Sequence, residues 1–362
     1  MRIAIDARAA AEVRAGHGRY LRELLAALGE LDVDHEFLLF ARAPWLDGAL
    51  DERFVWRLVN APTVAWPLRA GRAMSAEAAV ALACTTYAMS AAWRVPGVVV
   101  VHDLAAFDRS LGTPRGSLLE RVTLPLAVRR AQGFIAVSEA TAHQLGERYP
   151  QTTARTVVIP EAASPRFSPA VDHRDAAMLA RYGIQTPFVL CVGTLEPRKN
   201  LPRLIAAFAR LDATDRQDWK LVLAGASGWQ TDATFEAVAQ HGELVVTLGF
   251  VSDDDLARLY RQATVFCYPS LYEGFGLPVL EAMQSGTAVI TSAVSSMPEV
   301  GGAAARYVDP YDTADISGAL VELMRDEQHR RRLAAAGIEQ SRNFSWQHTA
   351  QATLDVLERV AS

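Results

Sequence analysis

Two glutamates, Glu273 and Glu281, flank a glycine-containing loop within residues 269–285 (PSLYEGFGLPVLEAMQS). An apolar run ends near Tyr268, and Pro278 stands where a first helical turn would begin. Gly274 and Gly276 carry no side chain, so their peptide N–H groups can approach an anion closely. The helix behind them adds roughly half a positive charge at its N-terminus. Together these form a candidate diphosphate seat. Carboxylates accept hydrogen bonds from vicinal hydroxyls, so one glutamate suits a sugar and the other a ribose. A glutamate near a helix start is also favoured by the helix dipole alone, which leaves Glu281 by itself undecided.

The positive charge is almost entirely arginine; the only lysines are Lys199 and Lys220. Lys199 lies between an apolar run, 188–192, and a helical pattern, 201–211. That is the carboxyl edge of a strand, where ligands bind in doubly wound sheets. An ammonium there can neutralise a leaving diphosphate, and Arg198 beside it can form a bidentate fork with phosphate. The alternative is a solvated basic pair, though basic charge at a helix start opposes the dipole. His102 ends a second apolar run, 98–103 (VVVVHD). It reads either as a structural strand-end residue or as a site residue, and Asp103 as the cap of the following turn. Gly16-His17-Gly18 reads by default as a tight turn, and Phe250, taken alone, as a core aromatic.

These residues need a scaffold that brings strand ends together. Short β-rich runs alternate with helical patterns: strands at 3–6, 37–40, 54–59, 98–101, 134–137 and 156–159, with helices at 20–28, 117–130 and from 139. Residues 160–169 (PEAASPRFSP) lack periodicity and read as a linker. A second series follows, with strands at 188–192, 220–224, 244–248, 264–268 and 288–291, and helices at 201–211, 255–263 and 278–284. The expected fold class is α/β: two Rossmann-like, doubly wound domains, 1–164 and 165–345. The amphipathic segment 346–360 would pack on either one.

The paired glutamates, in the pattern E-G-F-G-L-P-V-L-E, resemble those of retaining glycosyltransferases of family four. Residues 192–200 (VGTLEPRKN), 248–252 (LGFVS), 297–300 (MPEV), 308–310 (VDP) and 16–25 (GHGRYLRELL) resemble that family too, in the expected order. The resemblance implies the GT-B fold, two Rossmann-like domains facing a central cleft, with acceptor bound by the first and a nucleotide diphosphate sugar by the second. It implies that Lys199 contacts phosphate, that Glu273 and Glu281 bind the donor with the loop from Gly274 through Phe275, Gly276 and Leu277, and that Phe250 and Val251 meet the nucleobase. It places His102 beside the transferred sugar, and Gly16 and Gly18 at the diphosphate and acceptor. Many relatives carry arginine where Thr194 stands, which leaves Arg198 to supply that charge, and His17 replaces a commonly apolar residue. Residues 292–300 (SAVSSMPEV) resemble mannosyltransferase-type members, which points toward GDP-mannose.

Bulk properties are compatible with this reading. The 362 residues are half apolar, enough for two cores. A net charge of −5 argues against a nucleic-acid partner. Cys84, Cys191 and Cys267 lack metal spacing and read as buried free thiols. No acidic metal motif sits at a strand end: Asp32-Val33-Asp34 falls between a helix and a strand, and residues 253–255 read as helix capping. Neither a metal nor a cofactor is therefore expected; the nucleotide sugar is a substrate. The N-terminus shows no signal segment and no run spans a membrane, so a cytoplasmic enzyme is expected. Arg109, Arg115, Arg121, Arg129 and Arg130 form either a solvated face or a contact for an anionic lipid or a lipid-linked acceptor, which leaves peripheral membrane contact open. Three rivals stand beside transfer: a nucleotide-sugar epimerase of the same fold, a non-catalytic sugar-nucleotide-binding module, and a nicotinamide dehydrogenase, which would need a third glycine after Gly18.

Overall fold

The computed structural model describes residues 1–12, 16–48, 50–111, 117–184 and 187–362. The chain forms two compact units. The first contains Met1–Asp108, 117–161 and Ser345–Ser362; the second contains Ala162–Phe344 together with 109–111.

The first unit is built on seven strands: β1 (Arg2–Asp6), β2 (Glu36–Ala41), β3 (Phe54–Leu58), β4 (Val80–Ala83), β5 (Gly97–Val101), β6 (Gly133–Ala136) and β7 (Thr156–Val158). They lie in the order β3-β2-β1-β4-β5-β6-β7, all parallel. A parallel sheet is covered on both faces, so its central strands read as unbroken apolar runs. All five residues of β5, GVVVV, are buried. The C-terminal helix Trp346–Ala361 belongs to this unit. Gly133 leaves room for it: a Cβ there would press within 3.2 Å of Val360. Thr349 Oγ1 donates to the Pro160 carbonyl at 2.7 Å and pins the helix start.

The second unit has six parallel strands: β8 (Phe188–Val192), β9 (Lys220–Ala224), β10 (Val245–Gly249), β11 (Val265–Tyr268), β12 (Ala288–Ser292) and β13 (Ala305–Val308), ordered β10-β9-β8-β11-β12-β13. In each sheet the direction of strand addition reverses once, between β1 and β4 and between β8 and β11. Connections leave such a pair of strands on opposite faces, which opens a crevice at their carboxyl ends.

The structure adds elements that periodicity did not expose, including β4, β13 and the helix Trp66–Glu77. β4 reads VALA, too short and small to signal a strand, and the helix is disguised by Pro67 and Gly71. Gly71 is required where it stands, because a Cβ would lie 2.5 Å from the Met89 carbonyl. Two readings are refined. Residues 160–169 do link the units, whose boundary falls between Glu161 and Ala162, but as a packed segment: Glu161, Ala162, Ala163, Ser164 and Phe167 are buried, and the Phe167 ring packs edge-on against Tyr260 at 5.5 Å. The helix Asp253–Gln262 is capped by Ser252, whose Oγ accepts from the Asp255 N–H, while residues 253–255 fill its first turn. The three cysteines are free and buried. Asp103 caps its turn through the Ala105 N–H at 2.9 Å.

Candidate active site

The switch point of the second unit brings Arg198 and Lys199 to the loop that carries Glu273. Beyond β8 the chain makes one short turn, Pro197–Lys199, and Asn200 takes the left-handed conformation at φ 60° before the helix Leu201–Ala209. This turn presents Arg198 and Lys199 toward the loop after β11. The Asn200 side-chain amide donates to the carbonyls of Pro269, at 3.0 Å, and Pro310, at 2.7 Å, which ties together the loops after β8, β11 and β13. The Leu271 N–H closes on the Arg198 carbonyl at 2.7 Å.

Lys199 and Glu273, more than seventy positions apart in sequence, meet here. Lys199 Nζ donates to Glu273 Oε1 at 2.6 Å and also to Tyr268 Oη. Tyr268 Oη donates to the same carboxylate oxygen at 2.8 Å, and the Ser270 hydroxyl lies 2.7 Å from it. Arg198 holds Oε2 and lies 2.5 Å from Glu196. Burial alone would raise the Glu273 pKa, but Arg198, Lys199 and the hydrogen bonds from Lys199 and Ser270 bring it down to about 2. Burial and the neighbouring Arg198 push the Lys199 ammonium below its ordinary range, against the pull of Glu273 and Glu196. The two groups stand as a buried ion pair.

This arrangement constrains the chemistry. Two cations and two carboxylates balance within the cluster, so attraction for a diphosphate has to come from re-aimed donors and from the helix start beside them. A carboxylate offers about four lone-pair directions; Glu273 Oε1 meets Lys199, Tyr268 and Ser270, and Oε2 meets Arg198. A sugar hydroxyl meets fewer competing donors at Oε2 than at Oε1, and a phosphate fork from Arg198 competes with its contacts to Glu196 and Glu273.

The loop after β11 is held from β12's side. Ser295 Oγ accepts from the Glu273 N–H at 3.0 Å, and the Ser296 hydroxyl lies 3.0 Å from the Glu273 carbonyl and 2.6 Å from that of Phe275. Gly276 caps the helix Leu277–Gln284 at φ 119°, and a Cβ there would fall 2.4 Å from Met297 Cε. Gly274 is buried in the loop, and Leu277 is half-buried at the helix start. The Phe275 ring turns away, edge-on to Phe344 at 5.7 Å. Glu281 occupies a different environment from Glu273: it is 1 % exposed and accepts from Tyr260 Oη at 2.9 Å. Phe250 is 57 % exposed and is not the core aromatic its type suggested; Val251 beside it is buried. Both follow β10, the edge strand two places from β8.

In the first unit, His102 follows β5 and is 9 % exposed. Its Nε2 lies 2.9 Å from the Cys84 carbonyl, and its Nδ1 lies 3.1 Å from Glu161 Oε1. Tyr20 meets the ring edge-on at 4.7 Å, and His17 lies 4.4 Å from it, tilted by 33°. Of the expected tight turn, only Gly16 is turn-like, at φ 41°; Gly18 is already inside the helix His17–Glu30 and buried. Two residues of this edge escaped the sequence reading. Asp6, at the end of β1, is fully buried, accepts from Thr85 Oγ1 at 3.0 Å, and has its pKa raised by that burial against the pull of Arg8. Glu161 was passed over because it lay in the presumed linker. An acid ending the apolar run of β1 was the available signal for Asp6; nothing local marked Glu161. Tyr268, Ser270 and Asn200 were likewise missed, although Asn200 stands in the quoted 192–200 segment.

Among the described residues, no three His, Cys, Asp or Glu side chains gather as a metal site would require. None of the described helices is long and apolar enough to cross a membrane. Arg121 donates to the Ala106 carbonyl, while Arg129 and Arg130 stay exposed; the Arg109 side chain and Arg115 lie outside the described residues.

Comparison with known proteins bears on the family and the fold. The family described as Glycosyltransferase Family 4 matches residues 14–166, and that described as Glycosyl transferases group 1 matches 181–340. The O-antigen chain mannosyltransferase B of Escherichia coli is 32 % identical over 263 residues, which span 71 % of this chain and 69 % of that protein. The serotype-specific mannosyltransferase WbdA of Escherichia coli is 34 % identical over 275 residues, but these span only 33 % of its length. The structure of Anabaena HepE in complex with UDP-glucose superposes with a TM-score of 0.80 at 18 % identity, covering 99 % of this chain and 100 % of that one, and so shares the fold. With two doubly wound units, a Lys–Glu pair at the second unit's switch point and both halves matched in order, the chain belongs to the family-four glycosyltransferases of the GT-B fold, in their mannosyltransferase-like group.

Proposed function

We propose that this glycosyltransferase is a retaining enzyme that moves mannose from GDP-mannose to a glycan or lipid-linked acceptor hydroxyl during cell-surface polysaccharide synthesis, without a metal or other cofactor. The observation that carries this reading is the buried Lys199–Glu273 pair at the β8/β11 switch point. Departure of the nucleotide diphosphate builds negative charge on phosphate oxygens and oxocarbenium-like charge on the sugar. Lys199, with a third ammonium proton beyond those given to Tyr268 and Glu273, is placed to meet the first. Glu273 is placed to meet sugar hydroxyls as its donors shift, and the leaving phosphate takes the acceptor's proton on the same face. Mannose is supported by the names of the relatives; the UDP-glucose in HepE belongs to a protein that shares only the fold. A transfer assay across GDP- and UDP-hexoses, with thermal-shift binding of each, tests the reading. GDP-mannose is expected to stabilise the protein most and to be the donor consumed with retained configuration. Consumption of a UDP-sugar alone overturns the donor, and interconversion of sugars without transfer points to the epimerase reading.

One observation supports a peripheral membrane location. The helix Ser117–Arg130 is apolar on two faces. Thr123, Leu124, Ala127 and Val128 are buried, whereas Leu118, Leu119, Val122 and Leu126 are 66, 59, 57 and 39 % exposed. At 100° per residue these four fall within one arc, which also carries Arg129. Apolar residues flanked by arginine suit the headgroup region of an anionic bilayer. Sedimentation with phosphatidylglycerol vesicles is expected for the wild type and lost in Leu119→Asp/Val122→Asp; equal sedimentation of both removes this contact.

A further inference from the structure

The surroundings of His102 assign a role to Glu161. The Cys84 carbonyl can only accept, so Nε2 carries a proton and donates to it. Nδ1 then faces Glu161 Oε1 at 3.1 Å. A bare nitrogen lone pair against a carboxylate oxygen would repel, and both groups are more than nine-tenths buried. For this contact to be a hydrogen bond, the pair must hold one proton more than a neutral imidazole and a carboxylate. A ring set between a carbonyl and a carboxylate donates to both only as imidazolium.

We infer that Glu161 is a positioning residue that holds His102 as a buried imidazolium at the end of β5. Other groups around the ring do not compete for this task. Tyr20 meets it edge-on, and burial keeps its phenol protonated, with Glu161's charge adding to the effect. The Cys84 thiol is kept protonated by burial and by Asp6. His17 lies over the ring as a second imidazole and supplies no counter-charge. On His102's own segment, Asp103 is turned to the Ala105 N–H. Glu161 is thus the carboxylate hydrogen-bonded to the ring among the described residues.

The placement of Glu161 explains why such a pair would be useful. Glu161 is the last residue of the first unit before the long second-unit stretch Ala162–Phe344. The chain re-enters at Ser345, and Trp346 packs on Tyr20 at 5.7 Å, which in turn packs on His102. The ring is therefore anchored by residues at both ends of that stretch, directly through Glu161 and through Tyr20 to Trp346. With both nitrogens committed, the imidazole does not offer a donor or acceptor to a sugar. Its contribution is a fixed strand end and a charge balanced by Glu161.

The link to turnover rests on the proposed function and on the family resemblance that sets His102 beside the transferred sugar; the protonation state does not. Nitrogen-15 NMR of histidine-labelled full-length protein, with His102→Gln to assign the signal, reads the ring directly. At neutral pH both ring nitrogens of His102 are expected to be protonated. Glu161→Gln is expected to leave a neutral ring protonated at Nε2 only, and Glu161→Asp to retain imidazolium if the shorter acid reaches. A neutral His102 in the wild type, or a ring state unchanged in Glu161→Gln, overturns the inference. In the transfer assay, Glu161→Gln is expected to lower kcat about tenfold or more, by analogy with partners that orient other functional histidines. Affinity for the bare nucleotide diphosphate is expected to stay within about twofold, and Glu161→Asp to recover part of kcat. An altered ring with unchanged kcat overturns the positioning role; a wild type without transferase activity but with the expected ring state overturns only the proposed function.

Discussion

Both units end parallel strands in a buried cation–carboxylate pair, yet the two pairs are built differently. In the second unit, Lys199 and Glu273 come from the loops after β8 and β11, the strands that flank the switch point. Tyr268, Ser270 and Arg198 crowd the same carboxylate. In the first unit, His102 leaves β5, one strand from the switch, and its partner Glu161 comes from the segment after β7. The Lys–Glu pair lies at the switch point, the place where doubly wound sheets bind ligands. The His–Glu pair lies where the chain changes units, with every ring nitrogen committed. The first is suited to meet charge that develops on a substrate; the second is suited to hold a strand end still.

The largest expected effect tests the first half of that contrast. Lys199→Ala removes an ammonium whose stabilisation grows as the phosphate leaves. By analogy with single electrostatic donors elsewhere, the loss is roughly 3–4 kcal/mol, or about a hundredfold or more in kcat. Steady-state kinetics on the purified variant measure this. A kcat within a few-fold of wild type would return Lys199 to a purely structural role as the counter-ion of Glu273.

A second effect sharpens what Glu273 does. Its charge is held far below the ordinary range, from 4.5 to about 2, so the sign is that of a depressed carboxylate. Its contribution to stability is complete above pH 4.5, declines as pH falls, and is gone once pH has fallen through about 2. Breaking such a buried pair costs about 3 kcal/mol or more near neutrality. Urea denaturation of wild type and Glu273→Gln is expected to show a gap that is constant above about pH 5 and narrows from there to pH 3. A gap independent of pH would mean that shape, not charge, makes Glu273 necessary.

A smaller difference separates binding from folding at the same residue. Glu273→Ala is expected to weaken the nucleotide sugar more than the bare nucleotide diphosphate, because only the former has hydroxyls to lose. A single charge-assisted hydrogen bond corresponds to about tenfold in affinity. Calorimetry with both ligands decides it, and equal losses would confine Glu273 to holding Lys199 and Arg198.

The two pairs also differ in how far the sequence revealed them. The Lys–Glu site was legible because its parts are locally unusual: one of two lysines in the chain, a glycine-interrupted loop and a proline at a helix start. The strands delivering them, β8 and β11, are apolar runs with clear ends. Strand order and register supplied the meeting of Lys199 with Glu273, and those follow from the parallel topology. Tyr268 and Ser270 stayed hidden because a tyrosine closing a strand and a serine in a loop are common. Glu161 stayed hidden for a stronger reason. It adjoins an aperiodic, proline-containing stretch, and only the fold shows that this stretch is buried. β4, read from VALA, failed for want of pattern rather than of propensity, since a short central strand needs only small apolar residues.

The smallest expected effect is none at all, and it bears on whether the second unit's side chains do the work a divalent ion does in other transferases. The residues around Glu273 supply two fixed cations, Arg198 and Lys199, and a helix start at Leu277 aimed from the same loop. Their charges are balanced by Glu196 and Glu273 before donor arrives, so binding a diphosphate leaves an excess of negative charge that re-aimed Arg198 and Lys199 must absorb. If they suffice, transfer measured with purified enzyme in excess chelator is expected to proceed at the untreated rate, within error. The Lys199→Ala variant is then the sharper control. A divalent ion added to it would find a site short of positive charge and could restore part of the lost turnover, whereas the same ion added to wild type would change little. Complete loss of wild-type activity in chelator, restored by a divalent ion, would show that the Lys–Glu pair positions the donor without carrying its charge, and would bring its role closer to that of His102 and Glu161.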